Sequence, residues 1–261
     1  MRLDVYLTAN GLADSRQRAK VLVLGDCVSV NGKVALKPSM DIDDGDIVTV
    51  SGDPIGYISR GALKLKAAFE AFDLSVDRKV AIDVGASTGG FTEYLLEQGA
   101  IKVYAVDSGS DQLAQKLRRD ARVISMEKYN ARNLTKADFK EPIEVAVMDV
   151  SFISQTLIIP SLATIMAEKS VFVSLVKPQF EAGREAVGKG GIVKSAVARA
   201  MSVRKVVDCA IQNGFDFYGL ITSPIKGGDG NIEYLACFSR GGILPKLENN
   251  LNLLISSIVN V

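Results

Sequence analysis

Two hydrophobic rhythms divide this chain. Over roughly the first fifty residues the apolar positions come in short bursts between polar turns, the pattern of a small domain with little core to fill. The spacing predicts a helix over 2–10 and a second over 15–24, with Ser15 as its N-cap. On the second helix Ala19, Val21, Leu22 and Leu24 are expected to face inward, leaving Arg16, Arg18 and Lys20 on the outside. Cys27-Val28-Ser29-Val30 alternates into Asn31-Gly32, a dipeptide suited to the left-handed backbone of a tight hairpin, and 47–50 supplies a closing strand. Breakers crowd the stretch 51–58, so a linker is expected there, with a small α+β domain over 1–56 and a larger one over 59–261.

From residue 79 the rhythm changes to apolar runs of strand length, each followed by a longer helical stretch. The runs fall at 80–84, 102–106, 123–126, 145–149, 171–176, 217–222 and 234–238. Alternation of this kind builds a Rossmann-like α/β domain around a seven-stranded, mostly parallel sheet. In such sheets ligands bind beyond the carboxyl ends of the strands, so the residues just after each strand are the ones to question. A tail from about 241 carries Leu247, Leu251, Leu254, Ile255 and Ile258 at helical spacing and is expected to pack on the main domain.

The chain has 261 residues, 48% hydrophobic and 23% charged, with a formal net charge of +1, so overall charge selects no partner. The absence of histidine matters more. With none in the chain, imidazole is excluded as base, metal ligand or neutral-pH switch, and no metal is expected. Cys27, Cys209 and Cys237 are too scattered for a disulfide framework or a CxxC motif. No apolar run approaches the ~18 residues of a membrane span and no leader pattern opens the chain, so a cytoplasmic location is expected.

After the first strand of the larger domain comes Asp83-Val84-Gly85-Ala86-Ser87-Thr88-Gly89-Gly90-Phe91, a glycine-rich turn into a helix. Ser87 stands where a dinucleotide fingerprint requires its second glycine, which argues against a pyrophosphate. Asp107 ends the second strand, where a carboxylate can accept both hydroxyls of a ribose. S-adenosylmethionine, with ribose and adenine but no phosphate, fits this pair of features. Four more charged residues flank the same crevice: Lys64, Asp149, Lys177 and Glu233. An ion at the end of a buried strand is costly unless paired or used. Methyl transfer to a hydroxyl needs alignment and removal of a proton, and without histidine a lysine can serve. The base role goes to Lys177, with Lys64 as the neighbouring cation and Asp149 and Glu233 orienting the two. Bringing a lysine from about 10.4 toward neutrality takes roughly 4 kcal/mol of burial and neighbouring charge.

These stretches, together with Arg2-Leu3-Asp4, Ser59-Arg60-Gly61-Ala62-Leu63-Lys64, Asp149-Val-Ser-Phe-Ile-Ser154, Val176-Lys-Pro-Gln-Phe-Glu181 and Gly230-Asn-Ile-Glu233, resemble the TlyA, or hemolysin A, family. That family joins an N-terminal S4 RNA-binding domain to an FtsJ-like methyltransferase domain. The resemblance covers residues 1 to about 240. It implies S-adenosylmethionine as cofactor, a Lys-Asp-Lys-Glu tetrad at Lys64, Asp149, Lys177 and Glu233, and a ribose 2′-hydroxyl, typically of cytidine in ribosomal RNA, as methyl acceptor. It also implies cofactor contacts from Asp83, Gly85, Ala86, Ser87, Gly89, Gly90, Phe91, Asp107, Asn130 and Asp149, with Asn130 near the adenine. After Asp107 this chain reads Ser-Gly-Ser-Asp-Gln-Leu, where the family usually has a valine and a tyrosine-bearing loop.

Residues 1–60 hold seven basic and eight acidic side chains, so RNA contact by the small domain rests on the segregation of Arg16, Arg18 and Lys20 from the acids at 41–46. Residues 169–205 are more basic, with eight basic side chains against two acidic ones. Arg184, Lys189 and Lys194 there, with Arg2, Arg16, Arg18, Lys20 and Arg60, are the candidate RNA contacts. The Gly188-Lys189-Gly190-Gly191 stretch reads as a flexible loop able to close over a strand. A ribosomal RNA or ribosomal subunit is the expected partner, and a monomer the expected state. Two alternatives stay open from the residues: a non-catalytic RNA-binding or assembly factor on a methyltransferase scaffold, and a nucleotide-dependent dehydrogenase. Membrane lysis, suggested by the family's older name, finds no spanning or strongly basic amphipathic segment to act through.

Overall fold

The computed structural model describes residues 1–13, 15–24, 27–51, 56–227, 230–245 and 251–259, which fall into two compact units, Met1–Arg60 and Gly61–Val261. In the first, helices α1 (Leu3–Ala9) and α2 (Arg16–Leu24) pack together beside a small antiparallel sheet of order β2 (Lys33–Val34), β1 (Val28–Val30), β3 (Val48–Val50). Ser15 caps α2 by accepting the Arg18 amide at 3.1 Å. Asn31 and Gly32 take φ of 53° and 76°, the left-handed pair the hairpin requires. The inward face of α2 differs from expectation. Ala19, Leu22 and Val23 are buried, whereas Val21 is half-buried and Leu24 is 70% exposed, because positions i, i+3 and i+4 share a helix face and 21 and 24 fall outside it.

The second unit begins with α3 (Gly61–Ala71) and then alternates β4 (Val80–Val84), α4 (Gly90–Glu97), β5 (Lys102–Val106), α5 (Gln115–Arg118), β6 (Val123–Met126), β7 (Ile143–Met148), α6 (Ile159–Ile165) and β8 (Met166–Val176). It closes with α7 (Pro178–Glu181), α8 (Ala196–Gln212), β9 (Asp216–Thr222), β10 (Tyr234–Arg240) and α9 (Leu251–Val259). The seven strands run in the order β6-β5-β4-β7-β8-β10-β9. The first five are parallel, and β10 runs antiparallel to both β8 and β9. Alternate residues serve opposite faces: Val80, Ile82 and Val84 join a core with α6, α8 and α9, while Asp83 turns the other way to meet Thr92 of α4.

Strand ends shift from the sequence expectation where pairing extends them. β8 starts at Met166 and β10 reaches Arg240, which sits opposite Ser170. Ile255 and Val259 of α9 are buried against the core, so the tail packs as its spacing predicts; Leu247 lies outside the described residues. Part of the expected linker, 52–55, lies outside them too.

Candidate functional site

The parallel strands β4, β5 and β7 open at their carboxyl ends onto a cavity of about 460 Å³, within the roughly 300–1,000 Å³ of small-molecule sites. The glycine turn forms one wall. Gly85 has φ of 87°, and a Cβ there would lie 2.3 Å from the Asp149 carbonyl oxygen, so only glycine lets the turn cross this close to β7's end. Asp107 faces the turn across the cavity floor. Its Oδ2 accepts the Ser87 amide at 2.8 Å and its Oδ1 the Gly109 amide at 2.7 Å. A carboxylate has about four lone-pair sites, so each oxygen can still accept a ribose hydroxyl. Asn130 Oδ1 accepts the Arg132 amide at 3.1 Å and Nε at 3.2 Å, leaving the amide nitrogen for the cavity.

The loop after Asp107 is held from behind. Burial alone raises the Glu127 carboxyl. The Leu113 amide, the Arg118 guanidinium and the Asp111 and Gln112 amides overcome that and bring it down to about 2. This anchoring places Ser108, Gly109 and Gln112 in the cavity wall.

Of the expected cofactor residues, Gly85, Ser87, Asp107, Asn130 and Asp149 line the cavity. Asp83, Ala86, Gly89, Gly90 and Phe91 do not, and stand behind it as support. Gly89 is left-handed at φ of 100°, and Phe91 is buried in α4. Asp83 is fully buried and accepts the Thr92 hydroxyl at 2.7 Å, with its Oδ1 unpartnered among the described residues. Burial, with Asp149 and Asp107 nearby, pushes its carboxyl up to about 7 against the Thr92 hydrogen bonds. The cavity's donor set suits a positively charged nucleoside. Two carboxylates, Asp107 and Asp149, are the charged groups among its lining residues, and Asp149 alone of the two has a lysine, Lys177, against it. A pyrophosphate would find repulsion there, whereas a sulfonium and an ammonium find compensation.

The four further charged residues gather at the same edge of the sheet in two pairs. Asp149 follows β7 and Lys177 follows β8; Glu233 precedes β10, whose reversed direction returns it to that edge, with Tyr234 opposite Val176. Lys64, on α3, reaches Glu233 Oε2 at 2.6 Å, and Gln179 Nε2 donates to the other Glu233 oxygen at 3.3 Å. Lys177 Nζ lies 2.6 Å from Asp149 Oδ1, an ion pair off hydrogen-bond alignment, and donates to Ser151 Oγ at 2.9 Å. Phe152, next to Ser151, lines the cavity, is 92% exposed, takes φ of 63°, and sets its ring 5.1 Å from that of Phe180. Ser151, Phe152, Gln179 and Gln112 are site residues that strand-end reasoning passed over. The first three lie within three residues of Asp149 or Lys177, and that adjacency was the available signal.

Comparison with known proteins gives the family. Residues 57–240 match the model of the FtsJ-like methyltransferase family, and residues 1–48 that of the S4 domain. The chain belongs to the TlyA/hemolysin A family of FtsJ-like methyltransferases. It is 45% identical to hemolysin A of Brachyspira hyodysenteriae over 243 residues, 91% of this chain and 99% of that one. It is 43% identical to the 16S/23S rRNA (cytidine-2′-O)-methyltransferase TlyA of Mycobacterium tuberculosis over 234 residues, covering 89% and 87% of the two chains. A solved structure of a candidate hemolysin from Streptococcus thermophilus superposes with a TM-score of 0.78 at 44% identity, over 100% of this chain and 94% of that one. As a member of this family the protein is a methyltransferase, and its cofactor is S-adenosylmethionine.

The expected RNA contacts divide. Arg2 and Arg16 of the S4 unit both bond the fully buried Asp4: Arg2 through Nε at 3.0 Å and a second nitrogen at 3.1 Å, Arg16 through one nitrogen at 3.1 Å. The Arg2 hydrogen bond is the main reason the Asp4 carboxyl sits at about 2. These two arginines therefore carry a structural duty that charge segregation in the sequence did not reveal. Arg18 and Arg60 are half-buried and Lys20 is exposed. Arg184, Lys189 and Lys194 are exposed and make no ion pair among the described residues. The loop bearing the last two, expected to be flexible, is bolted at one point: buried Asn231 accepts the Val193 amide at 3.0 Å and donates to the Gly191 carbonyl at 2.8 Å. Gly228 and Asp229 lie outside the described residues, and among those described no helix is long and apolar enough to cross a membrane.

Proposed function

We propose that this protein transfers a methyl group from S-adenosylmethionine to a ribose 2′-hydroxyl of ribosomal RNA, at cytidine, in the cytoplasm. The observation that carries the reading is the pair of lysine–carboxylate contacts at one sheet edge beside a cavity lined by acids and by no cation. When bound, the cofactor supplies an electrophilic methyl on a sulfonium. Asp107 would take the ribose hydroxyls of that cofactor and Asn130 its adenine edge, and the Gly85–Ser87 turn would let it come close to the backbone.

From its neutral amine form, reached by giving a proton to solvent, Lys177 accepts the proton of the RNA hydroxyl as that oxygen bonds the methyl and the methyl–sulfur pair leaves with the sulfur, and Asp149 holds the amine in place and offsets the charge it gains. Lys64, fixed by Glu233, is the second cation near the reacting oxygen. Phe152 offers an exposed ring to a base turned out of its helix, as access to a folded-RNA ribose requires. The S4 unit, taken as 1–56, and the basic residues Arg184, Lys189 and Lys194 supply phosphate contacts. Relatives named for rRNA cytidine 2′-O-methylation support the substrate class.

The test is a transfer assay with labelled S-adenosylmethionine on ribosomal subunits and on naked rRNA, followed by mapping of 2′-O-methyl positions. Label at defined cytidines is expected on one of these substrates. Tight, stoichiometric RNA binding with no cofactor turnover would replace the enzyme with an assembly factor.

A further inference from the structure

The transfer reading uses Lys177 and Asp149 but leaves a buried carboxylate close by without a task. Glu181 ends α7, the short helix that begins just after Lys177, and it is almost wholly buried. A carboxylate is kept out of water only at a cost that good partners must offset. Its partners lie on the other strand-end segment. Glu181 Oε2 accepts the Ser154 hydroxyl at 2.6 Å, and Oε1 accepts the Gln155 amide at 2.7 Å. Gln155 strengthens the same seam, donating Nε2 to the Leu175 carbonyl at 2.7 Å and accepting the Ser174 hydroxyl. Lys205 of α8 stands 3.4 Å from Oε2 and also donates to the Glu181 carbonyl.

The seam joins two pieces of chain that have to agree in position. Residues 149–155 carry Asp149, Ser151 and Phe152; residues 174–181 carry Lys177 and Phe180. Asp149 is fixed at one end by its amide on the Val84 carbonyl at 2.9 Å, and the segment then turns through left-handed Phe152 before it meets Glu181. Every contact between the two pieces that bears on transfer, Lys177 to Asp149, Lys177 to Ser151 and Phe152 to Phe180, lies between that end and the Glu181 tie.

We infer that Glu181 is a positioning residue: through Ser154 and Gln155 it fixes the span carrying Asp149, Ser151 and Phe152 against the helix that follows Lys177. This rests on the transfer reading for its effect on rate, but not for its effect on geometry. The test therefore measures both.

Glu181→Ala should lower kcat on the order of 10²-fold, the cost of a misplacement near 1 Å, while the KM for cofactor moves far less. Glu181→Gln keeps an acceptor for the Gln155 amide and a donor for Ser154 Oγ, and should restore most of the rate. In parallel, pulse acylation with acetic anhydride, read peptide by peptide by mass spectrometry, reports Lys177 directly. Its labelling should rise several-fold in Glu181→Ala, with Lys64 unchanged as the internal reference.

Where Glu181→Ala does not fold, Ser154→Ala removes one tie and should move both readouts the same way by less. Unchanged Lys177 labelling in these variants overturns the inference, as does Lys64 labelling that rises in step with it, and as does a Gln variant no better than Ala. A parent protein that transfers no methyl group sinks the functional reading alone, because the labelling contrast is still read.

Discussion

The two lysine–carboxylate pairs at the sheet edge share a separation of 2.6 Å and differ in their surroundings. Lys64 and Glu233 retain only 11% and 2% side-chain exposure, and the second Glu233 oxygen is engaged by Gln179. Lys177 and Asp149 retain 12% and 22%, and Asp149 forms part of the cavity wall. A dry pair costs desolvation at both members and tolerates the loss of neither, whereas a pair open to a cavity can exchange a proton with what enters. Distance alone assigns no role to an ion pair; access does.

The comparison is sharpened most by removing the lysine of the open pair. Lys177→Ala should reduce kcat for methyl transfer by about 10²–10⁴-fold in single-turnover assays. Its melting temperature should stay within about 4 °C of the parent. Next comes the dry pair. Glu233→Ala strands the Lys64 ammonium and should cost about 3–5 kcal/mol in urea denaturation, more than Asp149→Ala. Equal costs would erase the distinction between the pairs.

A third measurement probes the dry flank of the open pair, where burial pushes Asp83 up to about 7 from an ordinary 3.8. Between those values the folded protein holds a proton that the unfolded chain has released, so the parent loses stability as pH rises through the window. Asp83→Asn does not titrate. Its melting temperature relative to the parent should therefore climb from pH 4 to pH 7 and level off above, and parallel curves would refute the assignment.

The smallest effect concerns the charges meant for RNA. Lys189→Glu and Lys194→Glu should each lower the slope of log affinity against log salt for rRNA by about 0.7–0.9, with cofactor affinity unchanged. Arg16→Glu should change that slope less. It should also cost the S4 unit stability at neutral pH, and that deficit against the parent should shrink as pH falls toward 2, where Asp4, held at about 2 in the parent, loses the contribution it makes above the ordinary carboxylate range.

The sequence carried three strands to the residue: 80–84, 102–106 and 123–126 match β4, β5 and β6 end to end, the first two because buried strands in a parallel sheet write themselves as continuous apolar runs. Asp149, Lys177 and Glu233 were legible for the same reason, being ions at the ends of such runs, whereas Lys64 stands on α3 and was legible through the family resemblance. What stayed hidden depends on tertiary pairing. No local pattern says that Lys64 takes Glu233, that Arg2 and Arg16 converge on Asp4, or that Glu181 turns beneath Ser154. The division of the glycine turn was hidden too. Gly85 and Gly89 look alike in sequence, yet one touches the cavity and the other is packed beneath Leu117.

The late place of β10 in the chain has a consequence in time. A parallel strand delivers its charged residue on leaving the sheet, but here Glu233 arrives before its strand, 169 positions after Lys64. At roughly 5–20 residues per second, synthesis leaves that lysine without its carboxylate for about ten to thirty seconds. Throughout that interval the newborn polypeptide is tethered to a ribosome, the very particle proposed as its target, with the chemistry still unassembled.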